Sequence, residues 1–534
     1  MRSPIIIGTR GSELALWQAN FTKDELAKHG ITAELKIIQT KGDATQQWNL
    51  SFDKIEGKGF FTKELEDALL ANEIDVAVHS CKDLPTTFPD GLTIAAYSKR
   101  ANPFDILLIK KECVDETKLL KLKTNALVGT SSARRKSQLL ALRPDIALQD
   151  LRGNVPTRIK KLKEQNYDAI VLASAGLERL KIDLSEFEQI SLKAPMFIPA
   201  PAQGVLAFQV RENDKELKEI CSLLHDNDSE IITEIERQIL HDFEGGCQMP
   251  LGVYAEKMEN DFHVWISQAT AWNTIPKRTH NVILSLSKES LSKEGLWKDV
   301  IKSESKKLVN QLKNSKPTDV FITSDLKEED YLFRVLKAHN YTVNYESFIE
   351  FSPVEFEQPN DADWLFFSSK NGVKFYFKSQ VSNLKSQIKI AAINQGTAQS
   401  LYELGLKVDF IGKGNDITKI AIEFDAVANG KIVFPQAERS MQSIQKNLLK
   451  NENLESLIIY KNQPKQNLQL RKEQILIFTS PMSVEAYFKN NTQENNQQIV
   501  SIGKTTTKKL EEFSVKNLKT AIEPSNWSII DEVF

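Results

Sequence analysis

The class of fold is indicated most clearly by one stretch of the sequence, Asp75-Val-Ala-Val-His79-Ser80-Cys81-Lys82-Asp83-Leu84-Pro85. Its first half is an apolar run of strand length, and a hydroxyl, a thiol, an ammonium and a carboxylate follow directly. Open α/β sheets bind their ligands at the carboxyl ends of the strands. The stretch therefore predicts an α/β sheet with Asp83 as an acid or electrostatic stabiliser and Lys82 beside it. A surface aspartate that only caps a turn is the alternative.

Upstream of this stretch, the chain predicts an anion site at the start of a helix. Residues 4–9 have the pattern of a short buried strand, Arg10-Gly11-Ser12 follows, and residues 13–28 have helical spacing. Free backbone N–H groups at such a helix start bind anions, with Arg10 and Ser12 beside them. Further on, glycines around Lys58, with Lys54 nearby, favour a loop that closes over a ligand. A solvated flexible turn is equally consistent with that loop.

Downstream, arginines recur at the starts of predicted helices. Arg134 and Arg135 follow the capping sequence Thr130-Ser131-Ser132, and the strand–turn–helix pattern returns twice more. The further candidates at these turns are Arg152, Arg158 and Arg179. The helix macrodipole disfavours cations in a first turn, so the set predicts a basic cleft that holds an anion. After Gln203, residues 205–210 predict a strand that rejoins the first sheet, which gives two lobes around one cleft.

Composition limits the classes of function. The chain has 534 residues, 41% hydrophobic and 26% charged residues and a formal net charge of −2, as expected for several globular domains without a nucleic-acid partner. No apolar run has the length of a membrane span and the N-terminus has no long apolar signal segment, so we expect a cytoplasmic protein. Only 15 of its 69 basic residues are arginines, and ten of these lie before residue 212. Because arginine binds carboxylate and phosphate through two parallel hydrogen bonds, this bias predicts a polyanionic small ligand.

A thiol stands in a glycine-rich loop, Phe243-Glu244-Gly245-Gly246-Cys247-Gln248-Met249-Pro250-Leu251-Gly252. Glycine and proline on both sides favour a loop that presents the sulfur of Cys247. A small buried hydrophobic residue is the alternative, since most free cysteines are of that kind. The four cysteines are scattered without metal-ligand spacing, so we expect neither a metal site nor disulfides.

These patterns predict the domain order. Residues 1–100 with 201–220 form the first lobe, 101–200 the second lobe and 221–313 a small α+β domain that carries Cys247. A polar linker follows, and 317–534 are a further two-lobed α/β half. In that half, Trp364-Leu-Phe-Phe-Ser-Ser369 resembles Ile475-Leu-Ile-Phe-Thr-Ser480, and Thr397 and Thr506 lie at later helix starts. Hydroxyls at helix starts suit an anionic ligand.

Residues 1 to about 312 resemble hydroxymethylbilane synthase (porphobilinogen deaminase). The resemblance rests on GTRGSELALWQA, GKGFFTKELEDALL, DVAVHSCKDLP, VGTSSARRKSQL, LRGNVPTR, ASAGLERL, PAQGVLAFQVR and FEGGCQMPLG. It implies two lobes like those of periplasmic binding proteins, and a dipyrromethane cofactor joined to Cys247 by a thioether. Four porphobilinogen molecules are then condensed in succession with loss of ammonia, and a linear tetrapyrrole is released.

The resemblance also implies roles for the candidate residues. Asp83, Lys82 and Cys247 are catalytic. The groups implied to hold the cofactor are Cys247, Ser80, Lys82, Asp83, Thr130, Ser131, Ser132, Arg134, Arg135 and Arg158. Those implied to bind substrate are Arg10, Ser12, Lys54, Lys58, Arg152, Arg179 and Gln203. The acetate and propionate arms of a growing pyrrole chain need cationic partners, which agrees with the arginine bias.

Residues from about 317 to 534 are similar to uroporphyrinogen III synthase, through DWLFFSSKNGV, GTAQSL, LIIY, IFTSPMSVEAYF and SIGKTTTKKLEE. That family closes the linear tetrapyrrole with inversion of its last ring. The resemblance implies a site with Ser369, Thr397, Tyr460, Ser480 and Thr506, in which Tyr460 and Thr506 lie near the leaving hydroxyl. The fused chain is then expected to be a monomer that uses porphobilinogen and hydroxymethylbilane.

Two alternatives remain open at this point. A two-lobed carboxylate-binding receptor would also have a basic cleft between its lobes. Alternatively, the deaminase half is active and the C-terminal half is a catalytically inactive domain.

Overall fold

The computed structural model describes residues 3–40, 62–164, 167–244, 249–285, 296–359, 361–378, 387–413, 416–449 and 453–534. The predictions for Lys54, Lys58 and Cys247 lie outside these residues.

The first lobe is built on a five-stranded sheet in the order β2-β1-β3-β10-β4. Its strands are β1 (Ile5–Thr9), β2 (Ala33–Ile37), β3 (Val76–Ser80), β4 (Leu92–Tyr97) and β10 (Leu206–Arg211), and its helices are α1 (Glu13–Lys28) and α2 (Lys63–Leu70). β1 is parallel to β2 and β3, whereas β10 is antiparallel to β3 and β4. The predicted return of the chain to this sheet after Gln203 is therefore confirmed.

The second lobe is built on the sheet β7-β6-β8-β5-β9. Its strands are β5 (Asp105–Lys110), β6 (Leu127–Gly129), β7 (Ala147–Gln149), β8 (Ala169–Ala173) and β9 (Phe187–Leu192), and its helices are α3 (Ala133–Leu142), α4 (Val155–Glu164) and α5 (Ser174–Leu180). The chain crosses between the two lobes after β4 and again after β9. The crossings touch where Ala101 N donates to Gly204 O at 3.1 Å. Gly204 has φ +96°, and a Cβ there would lie 2.6 Å from Ala101 O, so only glycine fits this approach.

A smaller α+β domain, the middle domain, follows helix α6 (Lys215–Ser222). It contains α7 (Asn227–Asp242), a three-stranded antiparallel sheet and α8 (Leu296–Asn314). The strands of the sheet are β11 (Leu251–Met258), β12 (Asp261–Gln268) and β13 (Lys277–Ser285). Both helices pack on this sheet and on each other.

The C-terminal half has two further lobes. The third lobe is built on the all-parallel sheet β15-β14-β22-β23-β24, and the fourth on β16-β21-β20-β17-β18-β19. The third lobe comprises β14 (Asp319–Ile322), α9 (Tyr331–Ala338), β15 (Thr342–Tyr345), β22 (Ile475–Phe478), α13 (Pro481–Phe488), β23 (Gln498–Ser501), α14 (Lys504–Glu511), β24 (Leu518–Thr520) and α15 (Asn526–Asp531). The fourth comprises β16 (Ile349–Pro353), β17 (Trp364–Phe367), α10 (Lys370–Tyr376), β18 (Lys389–Ala392), α11 (Gln395–Tyr402), β19 (Phe410–Ile411), α12 (Ile417–Asp425), β20 (Ile432–Ala437) and β21 (Leu454–Pro464). The predicted α/β fold class, with two lobes in each half and a small domain between the halves, is confirmed.

One hydrophobic core runs through the second lobe, the middle domain and the third lobe. It includes Leu139 of α3, Ile301 of α8, Leu332 of α9 and Ile530 of α15. The described residues between 349 and 464, which form the fourth lobe, do not belong to this core. They form two separate hydrophobic clusters. The second lobe, the middle domain and the third lobe are therefore joined by one common core, and the fourth lobe takes no part in it.

No helix in the described ranges combines the length and the apolar character that a membrane crossing requires.

Candidate active site

The turn that carries Asp83 is anchored by its buried neighbours. β3 ends at Ser80, and Cys81–Asp83 form one turn of 3-10 helix. Cys81 N donates to Val205 O at 2.9 Å and Leu84 N donates to Cys81 O at 3.1 Å, while the side chains of Cys81 and Leu84 are buried. The side chain of Asp83 is exposed and that of Lys82 is half-buried. The turn thus presents the two groups that the sequence predicted together.

Arg237 of α7 binds the same turn from the middle domain. Its guanidinium donates to Leu84 O at 3.3 Å and to Pro85 O at 2.6 Å, directly after Asp83. It also lies over the ring of Phe88, 5.5 Å from the centroid. Arg237 was not predicted from the sequence, since a buried arginine inside an amphipathic helix has no local pattern to mark it.

Arg134 and Arg135 lie in the first turn of α3, as predicted, but both are buried and paired with Asp105. Arg134 Nη1 lies 2.8 Å from Asp105 Oδ2, and Arg135 Nη2 lies 2.7 Å from Asp105 Oδ1. The two guanidiniums hold the pKa of Asp105 well below its usual range, against the opposing effect of burial. Asp105 was not predicted either. It stands at the start of the buried run Asp-Ile-Leu-Leu-Ile, and because a buried carboxylate needs a counter-ion, this position could have identified it.

Gln203 links this ion cluster to Lys82. Lys82 Nζ donates to Gln203 Oε1 at 3.3 Å, and Gln203 Nε2 donates to Asp105 Oδ1 at 3.1 Å and to Pro103 O at 2.7 Å. Desolvation lowers the pKa of Lys82, while Asp83 opposes the shift. The network therefore joins the first lobe to the second through the second crossing.

Arg158 extends the positive charge of the cluster. Desolvation lowers its pKa to about 10, Arg135 acts in the same direction, and Asp83 opposes the shift. Four cations, Lys82, Arg134, Arg135 and Arg158, thus face two carboxylates, Asp83 and Asp105. The cluster thus carries more positive than negative charge, with Arg134 and Arg135 buried and Lys82 and Arg158 half-buried, which favours an anionic partner.

One buried donor of this cluster has no acceptor. Arg135 Nε makes no hydrogen bond within the described part of the chain. A buried N–H group without an acceptor is costly, so this atom marks a position for an acceptor from a ligand.

The hydroxyl groups predicted for the site stand at the helix starts and strand ends. Ser12 caps α1 and Ser132 caps α3, each by accepting from the backbone N–H three residues on. Thr130 Oγ1 accepts from Ser132 N at 3.3 Å, Ser131 Oγ donates to Leu151 O at 3.0 Å, and Ser80 Oγ accepts from Gln18 Nε2 at 2.8 Å.

The remaining predicted arginines differ in their surroundings. Arg179 Nη2 donates to Gly204 O at 2.8 Å and its guanidinium lies over the ring of Trp17, 5.6 Å from the centroid, so it spans the two lobes. Desolvation lowers the pKa of Arg179 to about 10. Arg10 and Arg152 are half-buried, with Arg10 close to the buried His79.

In the C-terminal half, the predicted residues divide between two lobes. Ser369 caps α10 and Ser480 caps α13, while Thr397 and Thr506 are buried at the starts of α11 and α14. The structure brings Ser369 Oγ within 3.2 Å of the Tyr460 hydroxyl, and the ring of Tyr460 stacks on Phe375. Burial raises the pKa of Tyr460, and its hydrogen bond to Ser369 opposes this shift. Ser369, Thr397 and Tyr460 thus belong to the fourth lobe, and Ser480 and Thr506 to the third.

Groups of three or more side chains suited to a metal ion are absent from the described residues.

Three family models match the chain. Residues 5–219 match "Porphobilinogen deaminase, dipyromethane cofactor binding domain", and residues 231–274 match "Porphobilinogen deaminase, C-terminal domain". Residues 336–531 match "Uroporphyrinogen-III synthase HemD". Among relatives, the porphobilinogen deaminase of Chlorobium luteolum (strain DSM 273 / BCRC 81028 / 2530) is 39% identical over 322 residues, which are 59% of this chain and 100% of that protein. The chain belongs to the porphobilinogen deaminase family.

A second deaminase relative, from Bacillus cereus (strain AH187), is 45% identical over 259 residues, 48% of this chain and 82% of its own length. The solved uroporphyrinogen-III synthetase of Helicobacter pylori 26695 is 22% identical, with 40% of this chain and 97% of that chain covered at a TM-score of 0.32. A mutant uroporphyrinogen III synthase from Thermus thermophilus is 15% identical, with 40% and 96% covered and a TM-score of 0.28. By the family models, the deaminase is fused to a synthase domain, and the chain is a bifunctional enzyme of haem biosynthesis.

The basic cluster fits the dipyrromethane cofactor of a deaminase. The cofactor carries carboxylate arms, and the excess of cations together with the free Arg135 Nε provides the partners that such arms need. The residues that would hold it are Lys82, Arg134, Arg135 and Arg158, with Ser132 at the helix start. Cys247, the predicted attachment point, lies outside the described residues.

Proposed function

We propose that Asp83 is the proton-transfer and charge-stabilising group of the deaminase reaction, and that the arginine cluster binds the carboxylate arms of cofactor and substrate. The reaction condenses four porphobilinogen molecules into hydroxymethylbilane with release of ammonia. The observation that carries the proposal is the exposed Asp83 carboxylate on an anchored turn beside a cluster with an excess of cations.

Asp83 suits this role because of its surroundings. Arg158 and Lys82 are its charged neighbours, and its carboxylate would stabilise positive charge that develops on the substrate as ammonia leaves. When the carboxyl group is protonated it can pass that proton to the leaving amine, and the carboxylate that results then stabilises the developing cation. The hydrogen bond to Gln203 fixes the position of Lys82, which orients the substrate by binding its carboxylate arms.

When bound, the dipyrromethane would supply the free pyrrole end to which the first porphobilinogen unit is joined. Arg134 and Arg135 hold the arms of this primer, while Arg158, Arg179, Arg10, Arg152 and Ser12 bind the arms of the units that follow. Because Asp105 orients both guanidiniums of the first pair, they are preorganised before the ligand binds.

For the synthase half, we propose that Tyr460 and Ser369 act on the leaving hydroxyl of hydroxymethylbilane. The hydrogen bond between them aligns the phenol, and its raised pKa keeps it protonated as a donor. Thr397, Ser480 and Thr506 at helix starts would bind the carboxylates from both lobes. The product is uroporphyrinogen III, with its last ring inverted.

Three broader expectations belong to the same proposal. The domain division is 1–100 with 201–220, 101–200, 221–313 and 317–534, supported by the place of β10 in the first sheet. The chain acts as a cytoplasmic monomer and has small molecules as its partners.

Intact-mass measurement combined with a Cys247→Ser variant tests the deaminase proposal. The wild-type chain should exceed its translated mass by two linked pyrroles, and the variant should lack this addition and lose its turnover of porphobilinogen. An unmodified wild-type chain would favour a carboxylate-binding receptor. A variant with normal turnover would remove Cys247 from the mechanism.

The ring isomer formed from porphobilinogen tests the synthase proposal. An active synthase half yields the inverted isomer, whereas spontaneous closure yields only the uninverted ring. The Tyr460→Phe variant should shift the product towards the uninverted isomer without changing porphobilinogen consumption, and Tyr402→Phe on the neighbouring α11 is the matched control. Exclusive formation of the uninverted ring by the wild-type chain would leave the C-terminal half as an inactive domain.

A further inference from the structure

The third lobe is attached to the deaminase half through buried polar contacts. Arg278 of β13 pairs with Asp531 of α15, with Nε–Oδ1 at 2.9 Å and both side chains only 2% exposed. Arg278 also donates to the carbonyl oxygens of Pro195 and Met196 in the second crossing between the deaminase lobes. Removal of one partner of a buried ion pair costs about 3–5 kcal/mol, so this attachment is permanent in the folded protein.

Further contacts hold the third lobe at the same place. His280 Nδ1 lies 3.0 Å from Glu532 Oε1, and Arg334 Nη2 of α9 donates to Ala141 O of α3 at 2.7 Å. Lys277 Nζ lies 2.9 Å from Ser315 Oγ in the short connection between α8 and β14. Together with the shared core, these contacts prevent independent movement of the third lobe.

The fourth lobe meets the second lobe through an exposed contact. Gln395 Nε2, at the first position of α11, donates to Glu116 O at 3.1 Å, and both residues are exposed. Glu116 and Lys121 are the charged neighbours of the half-buried Tyr402 at the other end of α11. An exposed hydrogen bond contributes about 0.5–1.5 kcal/mol, so this contact breaks far more easily than the buried pair.

The position of the exposed contact relates it to the synthase site. Gln395 stands two residues before Thr397, at the helix start that the sequence assigns to ligand binding. The fourth lobe is joined to the third by the segments on either side of the antiparallel pair β16–β21, which begins at Ile349 opposite Pro464. Movement about this pair would widen or narrow the gap between the lobes that carry Tyr460 and Thr506.

We propose that the deaminase half is a docking surface for both synthase lobes: its middle domain and second lobe bind the third lobe permanently, and its second lobe binds the fourth lobe reversibly. Opening of the synthase cleft to admit a linear tetrapyrrole then requires release of the contact between α11 and the segment 116–121. The inference rests on the proposed synthase function of the C-terminal half. It adds that the deaminase half limits how far the synthase cleft opens.

Covalent locking of the exposed contact tests this inference. In a Glu116→Cys, Gln395→Cys double variant, the short thiol-reactive cross-linker bismaleimidoethane should join the two positions, because the native Cys81, Cys113 and Cys221 are buried and Cys247 is expected to be blocked by its thioether to the cofactor. Cross-linking should lower the synthase rate with added hydroxymethylbilane at least tenfold. Porphobilinogen consumption should stay within twofold, since no contact of the deaminase site is altered.

The two single-cysteine variants, treated with the same reagent, are the matched controls and should retain their synthase rate. Failure of the two positions to cross-link, or a cross-linked protein with an unchanged synthase rate, would overturn the inference. Absence of synthase activity in the untreated protein would instead mean that the proposed function of the C-terminal half is wrong.

Discussion

Arg278 and Asp531 are 253 positions apart in the chain and form a fully buried ion pair, with Nε–Oδ1 at 2.9 Å and Nη2–Oδ2 at 3.3 Å. One residue lies on the edge strand β13 of the deaminase half and the other on the last helix of the synthase half. Since Arg278 also binds two carbonyl oxygens of the second crossing, the C-terminal helix is part of the support of the deaminase lobes. The two halves of this fused enzyme therefore share one structural unit.

Asp531→Asn should lower the free energy of unfolding by about 3–5 kcal/mol, because the buried guanidinium of Arg278 loses its counter-charge. Urea unfolding should show this shift in the deaminase half as well as in the synthase half. Glu25→Gln, which removes the exposed pair with Lys28, is the control and should change stability by less than about 1 kcal/mol. A loss confined to the synthase half would contradict the shared unit.

Asp105→Asn should impair cofactor loading, because Arg134 and Arg135 are then buried side by side without a carboxylate between them. We expect a loss of stability of about 3 kcal/mol and a smaller fraction of chains with the added mass of the cofactor. Intact-mass measurement checks the loading. Asp83→Asn is the comparison variant, and its turnover should fall about a hundredfold or more because the proposed proton-transfer group is lost. Full loading of Asp105→Asn would show that the arginines need no preorganisation.

Arg237→Met should slow the deaminase without emptying the cofactor site. Arg237 binds the carbonyl oxygens of Leu84 and Pro85, so its loss releases the turn that positions Asp83. We expect kcat to fall at least tenfold with little change in KM, and Arg237→Lys, which keeps one donor, to recover part of the loss. Phe88→Leu removes only the aromatic contact and is the control. If the free energy of unfolding falls together with kcat, and Arg237→Lys restores neither of them, the role of Arg237 is purely structural.

His79 should make the first lobe less stable in acid. Burial lowers the pKa of His79 to about 4; Arg10 acts in the same direction, and the hydrogen bond to Gln209 opposes the shift. Between pH 6.5 and 4 the unfolded chain binds a proton that the folded chain does not, so the free energy of unfolding falls as pH decreases, by up to about 3 kcal/mol. His263 and His339, whose pKa values are also lowered by burial, add to the same trend.

His79→Gln isolates the contribution of this one residue. The difference in unfolding free energy between wild type and variant should change over pH 6.5 to 4 and stay constant above pH 7. Parallel pH profiles for the two proteins would show that His79 does not titrate in this range.

Features that depend on near neighbours in the chain were predictable. The apolar run Val76–Ser80 with its polar end, the helix Glu13–Lys28 after Ser12 and the cap at Ser132 follow from local patterns, and the structure has each of them. Hydrophobic period, capping and strand length act over a few residues, so one sequence is enough to show them. The prediction that Lys82, Asp83, Arg134 and Arg158 share one cleft rests instead on the rule that α/β sheets bind ligands at the carboxyl ends of their strands.

Pairings between distant residues were decided only by the tertiary structure. Asp105 between the two arginines, Arg237 against the turn of Asp83, and Arg278 with Asp531 join segments 30 to 253 positions apart. A buried ion pair depends on which surfaces pack together, and no local preference encodes that choice. The sequence alone predicted the elements, the family and a set of candidate site residues, whereas packing decided which charges are neutralised inside the protein and which can meet a ligand.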